Sequence, residues 1–106
     1  MLGLEGKSAI VTGGAWGIGQ AISLRLAREG VAVGILDLDQ AKAEEIATQI
    51  ATAGGKAASE QCDISDYGQI KEAVLKIEGS NGATDILVNN AGWDKAERFL
   101  DTDPGF

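Results

Sequence analysis

Histidine is absent from the 106 residues of this chain. That removes Ser-His-Asp and Cys-His nucleophile systems and any His-ligated zinc site, since each needs an imidazole. Cysteine occurs once, at Cys62, so no disulfide can form within the chain, which suits a reducing cytosol. No apolar run approaches the roughly 18 residues that a membrane helix needs. Met1-Leu2-Gly3-Leu4-Glu5-Gly6-Lys7 has no basic segment followed by a long apolar stretch, so no secretory signal is expected. Basic residues are scarce, 9 against 16 acidic, for a net charge of −7. This balance disfavours non-specific binding to nucleic acid or anionic lipid. An anionic ligand would have to be held by local N–H geometry, because the global field opposes it. The expectations are a cytoplasmic protein with neither nucleic-acid nor membrane partners.

What the sequence does contain is one domain's worth of chain, enough for a single core. Its most informative segment is Thr12-Gly13-Gly14-Ala15-Trp16-Gly17-Ile18-Gly19. An apolar run, Ser8-Ala9-Ile10-Val11, precedes it, and a helical apolar period, Ile18, Ile22, Leu26, follows it. Strand, glycine-rich turn and helix in that order form a phosphate cradle. The glycines let backbone N–H groups reach a diphosphate that a Cβ would hold off. The unpaired amides at the helix start add about 0.3–1 kcal/mol for a nearby anion at an exposed site.

The remaining pattern alternates. Lys7 to Thr12 reads as a strand, Ile18 to Glu29 as a helix stopped by Gly30, and Val31 to Asp37 as a strand apolar on both faces. Asp39 can cap a helix from Gln40 to about Ala53 that buries Ala43, Ile46, Ala47 and Ile50. Lys56 to Cys62 is a weakly apolar strand. Asp66 with Gln69 resembles a capping box that starts a helix burying Ile70, Val74 and Ile77. Gly79 to Gly82 reads as a loop, Asp85 to Asn89 as a fourth strand, and Gly92 to Phe106 as loop with a turn at Pro104-Gly105. The order βαβαβαβ predicts an α/β fold: a Rossmann-like, doubly wound parallel sheet with spatial order 3-2-1-4. Ligand is then expected at the carboxyl ends of strands one and four, above Gly13 and Asn90.

Three further elements fall where a dinucleotide needs them. Asp37 ends strand two, 18 positions after Gly19, where a carboxylate can accept from ribose hydroxyls and repel a 2′-phosphate. Asp63 follows strand three in Cys62-Asp63-Ile64, and Asn89-Asn90-Ala91-Gly92 closes strand four. Together with the Gly-x-x-x-Gly-x-Gly turn, this set resembles the classical short-chain dehydrogenase/reductase family along essentially the whole chain.

The resemblance implies a cofactor site. Gly13, Gly17, Ile18 and Gly19 would line the pyrophosphate and the nicotinamide side of the turn. Asp37 would hold the adenosine ribose. Asp63 would bond the adenine amino group with Ile64 packing nearby, and Asn90, Ala91 and Gly92 would run along the ribose. Trp16 and Leu38 complete the set, at the places where members preferring NADP carry a cation. With Asp37 present and no cation there, NAD is expected over NADP, a like-charge contact costing on the order of 1–3 kcal/mol. The residues alone leave other roles open: Asp37 could be a plain helix-entry residue, Asp63 a turn or cap, and Trp16 a cover for the cofactor or for a neighbour.

The family's catalytic serine, tyrosine and lysine have no counterpart here. Tyr67 and Lys71 match the Tyr-x-x-x-Lys spacing literally, but they open the helix after strand three, far from the switch point, and read as a solvated helix pair. The expected chain is therefore a truncated cofactor half, inactive alone. Its parent would be an NAD-dependent oxidoreductase passing hydride between nicotinamide and a secondary alcohol or ketone. Gly92-Trp93-Asp94 resembles the ring-hydroxyacyl-CoA dehydrogenases of that family, which would make an acyl-CoA the substrate. The family implies a homo-oligomer, and an open fourth strand with Ile86, Leu87 and Val88 is expected to pair, swap or aggregate. The alternatives are a non-catalytic nucleotide-binding or assembly module and another Rossmann-like enzyme, the latter disfavoured by the Asn89 to Gly92 motif.

Overall fold

The computed structural model describes residues 3–90. Seven elements follow one another: β1 (Ser8–Thr12), α1 (Gly17–Arg28), β2 (Ala32–Asp37), α2 (Gln40–Thr52), β3 (Ala57–Gln61), α3 (Tyr67–Asn81) and β4 (Ile86–Asn89). The four strands form one parallel sheet in the order β3-β2-β1-β4. This is the expected Rossmann-like arrangement. In register, Thr12 stands between Leu36 of β2 and Asn89 of β4. The ends of β1, β2 and β4 therefore reach one edge together.

Side chains alternate across the sheet and sort the helices. Ala9, Val11, Val33 and Ile35 point to one face, where Ile22 and Leu26 of α1 and Ala43, Ile46 and Ile50 of α2 cover them. Ile10, Leu36 and Leu87 point to the other, against Ile70, Ala73, Val74 and Ile77 of α3. β1 and β2 are buried on both faces, as parallel strands between helix layers must be. Each fully buried Ile, Leu or Val contributes about 1.5–3 kcal/mol. Gly34 allows α3 close: a Cβ there would meet Ile77 Cγ2 at 2.5 Å. β3 and β4, at the two ends of this sheet, are only half-buried, which explains the weak apolar signal of β3.

Three expectations need correction. α3 does not stop at Gly79 but runs to Asn81. Its terminator is Gly82, whose φ of +86° no other residue type adopts cheaply, and whose amide bonds to the Glu78 carbonyl. Gly79 lies inside the helix. Ile18 belongs to the α1 period yet is 72% exposed, because the first turn of α1 projects past the core. Ala47 is half-buried rather than buried. The expected Gly92 to Phe106 loop lies outside the described residues.

Candidate functional site

The β1–α1 turn is held open at its centre by backbone and side-chain bonds from three strands. Gly13 N–H donates to Leu36 O at 2.7 Å, with Gly13 at φ +65°. Asn90 Nδ2 donates to Gly13 O at 3.3 Å, and Asn90 N donates to Thr12 Oγ1 at 2.9 Å. The Thr12 hydroxyl lies 3.3 Å from Asn89 Oδ1, so Asn89 braces the β1–β4 junction. Ser23, fully buried, donates its hydroxyl to Gly19 O at 2.8 Å and lies 3.2 Å from Gly14 O. It joins the back of the turn to α1. Nothing in the sequence motif singled out Ser23.

Gly19 is the tightest point. A Cβ there would overlap the Gly13 carbonyl oxygen and stand 2.8 Å from Asn90 Nδ2. The helix start and the strand end are thus in van der Waals contact, which only glycine allows. Gly17, at φ +51°, faces open space instead.

The three helix starts differ. Asp39 caps α2 by accepting from Lys42 N at 3.0 Å, and Asp66 caps α3 by accepting from Gln69 N at 3.1 Å. The Gln69 side chain reaches back to Asp63 N at 3.0 Å, three residues beyond the position a capping box predicts. α1 has no such cap: Trp16 makes no side-chain cap bond and no acidic residue occupies the first turn. Among the described residues the amides of Gly17, Ile18 and Gly19 have no hydrogen-bond partner. Of these three helices, the one that follows β1 is the one left without an internal anion.

Asp37, at the end of β2, is half-buried beside this turn. Its Oδ2 accepts from Ala15 N at 3.2 Å and its Oδ1 from Asp39 N at 3.0 Å. The carboxylate is thereby aimed at the turn from across the sheet edge. Trp16, 54% exposed, donates Nε1–H to Asp39 Oδ2 at 3.2 Å, and the Lys42 ammonium sits 4.8 Å from its ring centroid. Trp16 therefore covers a neighbour, the start of α2. With Ile18 and Leu38, both exposed, it gives the crevice an apolar rim.

Asp63 forms a tight turn in which its Oδ1 accepts from Ser65 N at 2.9 Å and from Ser65 Oγ at 2.7 Å. These bonds hold its carboxyl below the ordinary carboxylate range. Ile64 packs on the α3 face of the sheet. Tyr67 begins α3 after β3, two strands away from β1. It is not brought to the crevice. Cys62 is fully buried, and burial first, then the charges of Asp63 and Asp66, push its thiol up to about 11. It is packing, not a nucleophile. Ala91 and Gly92 lie outside the described residues.

Residues 7–105 match the short chain dehydrogenase family. The chain belongs to that family. Among its relatives is the probable oxidoreductase EphD of Mycobacterium tuberculosis, 41% identical over 92 residues, covering 87% of this chain and 16% of EphD. The 7α-hydroxysteroid dehydrogenase solved with NADH and 7-oxo glycochenodeoxycholic acid superposes with a TM-score of 0.79 at 34% identity, over 81% of this chain and 34% of that one. The actinorhodin polyketide ketoreductase solved with NADPH gives 0.76 at 31% identity, over 86% of this chain and 35% of that one. The chain thus spans about a third of these solved short chain dehydrogenases and a smaller share of EphD.

Proposed function

We propose that this chain binds NAD(H) in the β1–α1 crevice and supplies the cofactor site of an oxidoreductase acting on a secondary alcohol or ketone. The arrangement of the uncapped α1 start facing Asp37 across the sheet edge carries this reading. The residues fit a dinucleotide: Gly19 keeps the turn closed to any side chain, the amides of Gly17, Ile18 and Gly19 offer donors to a diphosphate, and Asp37 offers an acceptor to ribose hydroxyls. When bound, the nicotinamide supplies a hydride acceptor or donor at its C4.

The chain's own residues bind and orient. The N-terminal amides of α1 neutralise diphosphate charge in a protein of net charge −7. Asn90 and Thr12 fix β4 against the turn, so the ribose floor and the phosphate cradle move as one unit. Asp63, held ionised by Ser65, presents an acceptor to the adenine amino group, with Ile64 packing beside it. Leu38 and Trp16 flank the adenosine. Asp37 disfavours the 2′-phosphate of NADP by like charge. Lys42 does not reverse that preference, since its ammonium already faces the Trp16 ring and Glu45 Oε2 at 3.4 Å. A cytoplasmic homo-oligomer acting on a small-molecule substrate, with acyl-CoA thioesters of ring hydroxy acids as one class, completes the proposal. No residue here is assigned to proton transfer.

Fluorescence titration with NADH and NADPH tests it. NADH is expected to bind at least tenfold tighter, and Asp37→Ala to erase the difference. Equal affinities in the parent chain would refute the assignment of Asp37.

A further inference from the structure

The opposite edge of the sheet carries a second cleft that the cofactor reading does not use. Among the described residues, Arg25, Lys42 and Lys76 are ion-paired. Lys7, Arg28, Lys56 and Lys71 are in no ion pair there, and the first three line one cleft of about 630 Å³. In a chain of net charge −7, this cleft gathers three cations that are in no side-chain ion pair among the described residues. Arg28 lies in the last turn of α1, where a cation complements the helix dipole. Lys7 and Lys56 directly precede β1 and β3, and they line the same cleft as Ala53 at the end of α2 and Asn81 at the end of α3. Asn81, at the end of α3, lines the same cleft, and its Nδ2 is buried with no hydrogen-bond partner. A buried donor without an acceptor beside three cations suits an oxyanion.

The cleft continues into an apolar lobe. Ala27, Arg28, Ala53 and Gly55 line both this cleft and a second cavity of about 290 Å³, whose further wall is Leu24, Gln49 and Ile50. The lobe runs between α1 and α2, with the guanidinium stem at the junction. A cationic basin joined to an apolar slot matches a molecule with a charged head and an alkyl tail. Glu5 is the acid beside the basin: a Cβ on Gly30 would meet Glu5 Cγ at 2.9 Å.

We infer that this cleft binds a small amphiphilic anion, a carboxylate or phosphate head carrying a medium alkyl chain. The head lies among Lys7, Arg28, Lys56 and Asn81, and the tail lies between Leu24, Ile50 and Ala53. The site stands at the amino ends of the strands and the crevice at their carboxyl ends, so the two ligands do not compete. They share α1, which contributes Ala27 and Arg28 here and its first amides there.

The test is calorimetric titration of the full chain, without cofactor, using octanoate, octyl phosphate, inorganic phosphate and octanol below micellar concentrations. Amide NMR spectra on the same samples locate the site. Octanoate or octyl phosphate is expected to bind more tightly than inorganic phosphate and octanol, shifting the amides of Gly6, Gly30, Gly54 and Gly55. The preferred head group distinguishes a fatty acid from an alkyl phosphate. Arg28→Gln is expected to weaken binding about threefold to tenfold, Ala53→Asp to abolish it, and Glu5→Gln to strengthen it, with melting temperatures showing that each variant folds. NADH affinity is read separately, so a failed cofactor assignment leaves this result standing. Equal binding of inorganic phosphate or octanol, shifts elsewhere, or indifference to Arg28→Gln and Ala53→Asp would overturn the proposal.

Discussion

The Asp37 carboxylate accepts the Ala15 amide at 3.2 Å, across 22 positions of sequence. This bond fixes the end of β2 against the glycine turn and leaves the acidic group at the rim of the β1–α1 crevice. The same side chain also receives Asp39 N at 3.0 Å, so it shapes the entry to α2.

Asp37→Ala should consequently do two separable things. It loses a charged acceptor for the ribose, reducing NADH affinity about tenfold to hundredfold while leaving NADPH affinity the same or higher. It also orphans two backbone donors, lowering stability by about 1 kcal/mol. Titration reads the first effect and thermal melting the second. Asp37→Asn keeps one acceptor oxygen but sets an amide NH2 against the other backbone donor, so it should lose part of that stability while still relaxing the preference against NADPH.

Gly19 and Gly17 should respond differently to alanine. At Gly19 the new methyl collides with the Gly13 carbonyl, so the turn must open, costing about 1–3 kcal/mol and abolishing NADH binding. At Gly17 the methyl meets nothing, and only the φ of +51° is strained, at about 1–2 kcal/mol. Melting curves of both variants, with NADH titration of each, check the contrast.

The aspartate caps offer an independent test of the fold. Asp66→Ala should cost about 0.5–2 kcal/mol through the loss of its bond to Gln69 N. Asp39→Ala should cost a similar amount and also release the Trp16 indole. A change in tryptophan emission is therefore expected for Asp39→Ala and not for Asp66→Ala.

Two groups tie stability to pH. Folding raises the Cys62 thiol to about 11, against an unfolded thiol near 8.5. The folded state thus holds its proton longer, and stability falls as pH rises from about 9 toward 11. Cys62→Ser or Cys62→Ala should flatten that alkaline limb, and thiol reagents at pH 8 should label Cys62 only on unfolding. Asp63 has the opposite sign. Its carboxyl is lowered by Ser65, so its contribution is present above the ordinary carboxylate pKa and lost as pH falls through the depressed one. Ser65→Ala should raise the Asp63 pKa, read by carboxyl NMR titration.

The glycine turn, the Asp39 and Asp66 caps and the order β3-β2-β1-β4 were legible because each rests on local chemistry or on strict alternation of elements. What escaped depends on contacts far apart in sequence. The extent of α3 was misread because Gly79 is a permissive helical residue and the true stop needs the positive φ of Gly82. Ser23 behind the turn, Trp16 on Asp39 and Lys42, and Gln69 reaching Asp63 all require the fold to bring partners together. The residues proposed to hold the dinucleotide share one edge because Thr12, Leu36 and Asn89 are in register, a relation the linear motif implies only once the sheet order is known.

A crystal structure of the full chain with NADH tests the central claim most directly. The account predicts the diphosphate on the amides of Gly17, Ile18 and Gly19, with both ribose hydroxyls of the adenosine within hydrogen-bond distance of Asp37. A diphosphate bound elsewhere, or an adenosine ribose remote from Asp37, would contradict it.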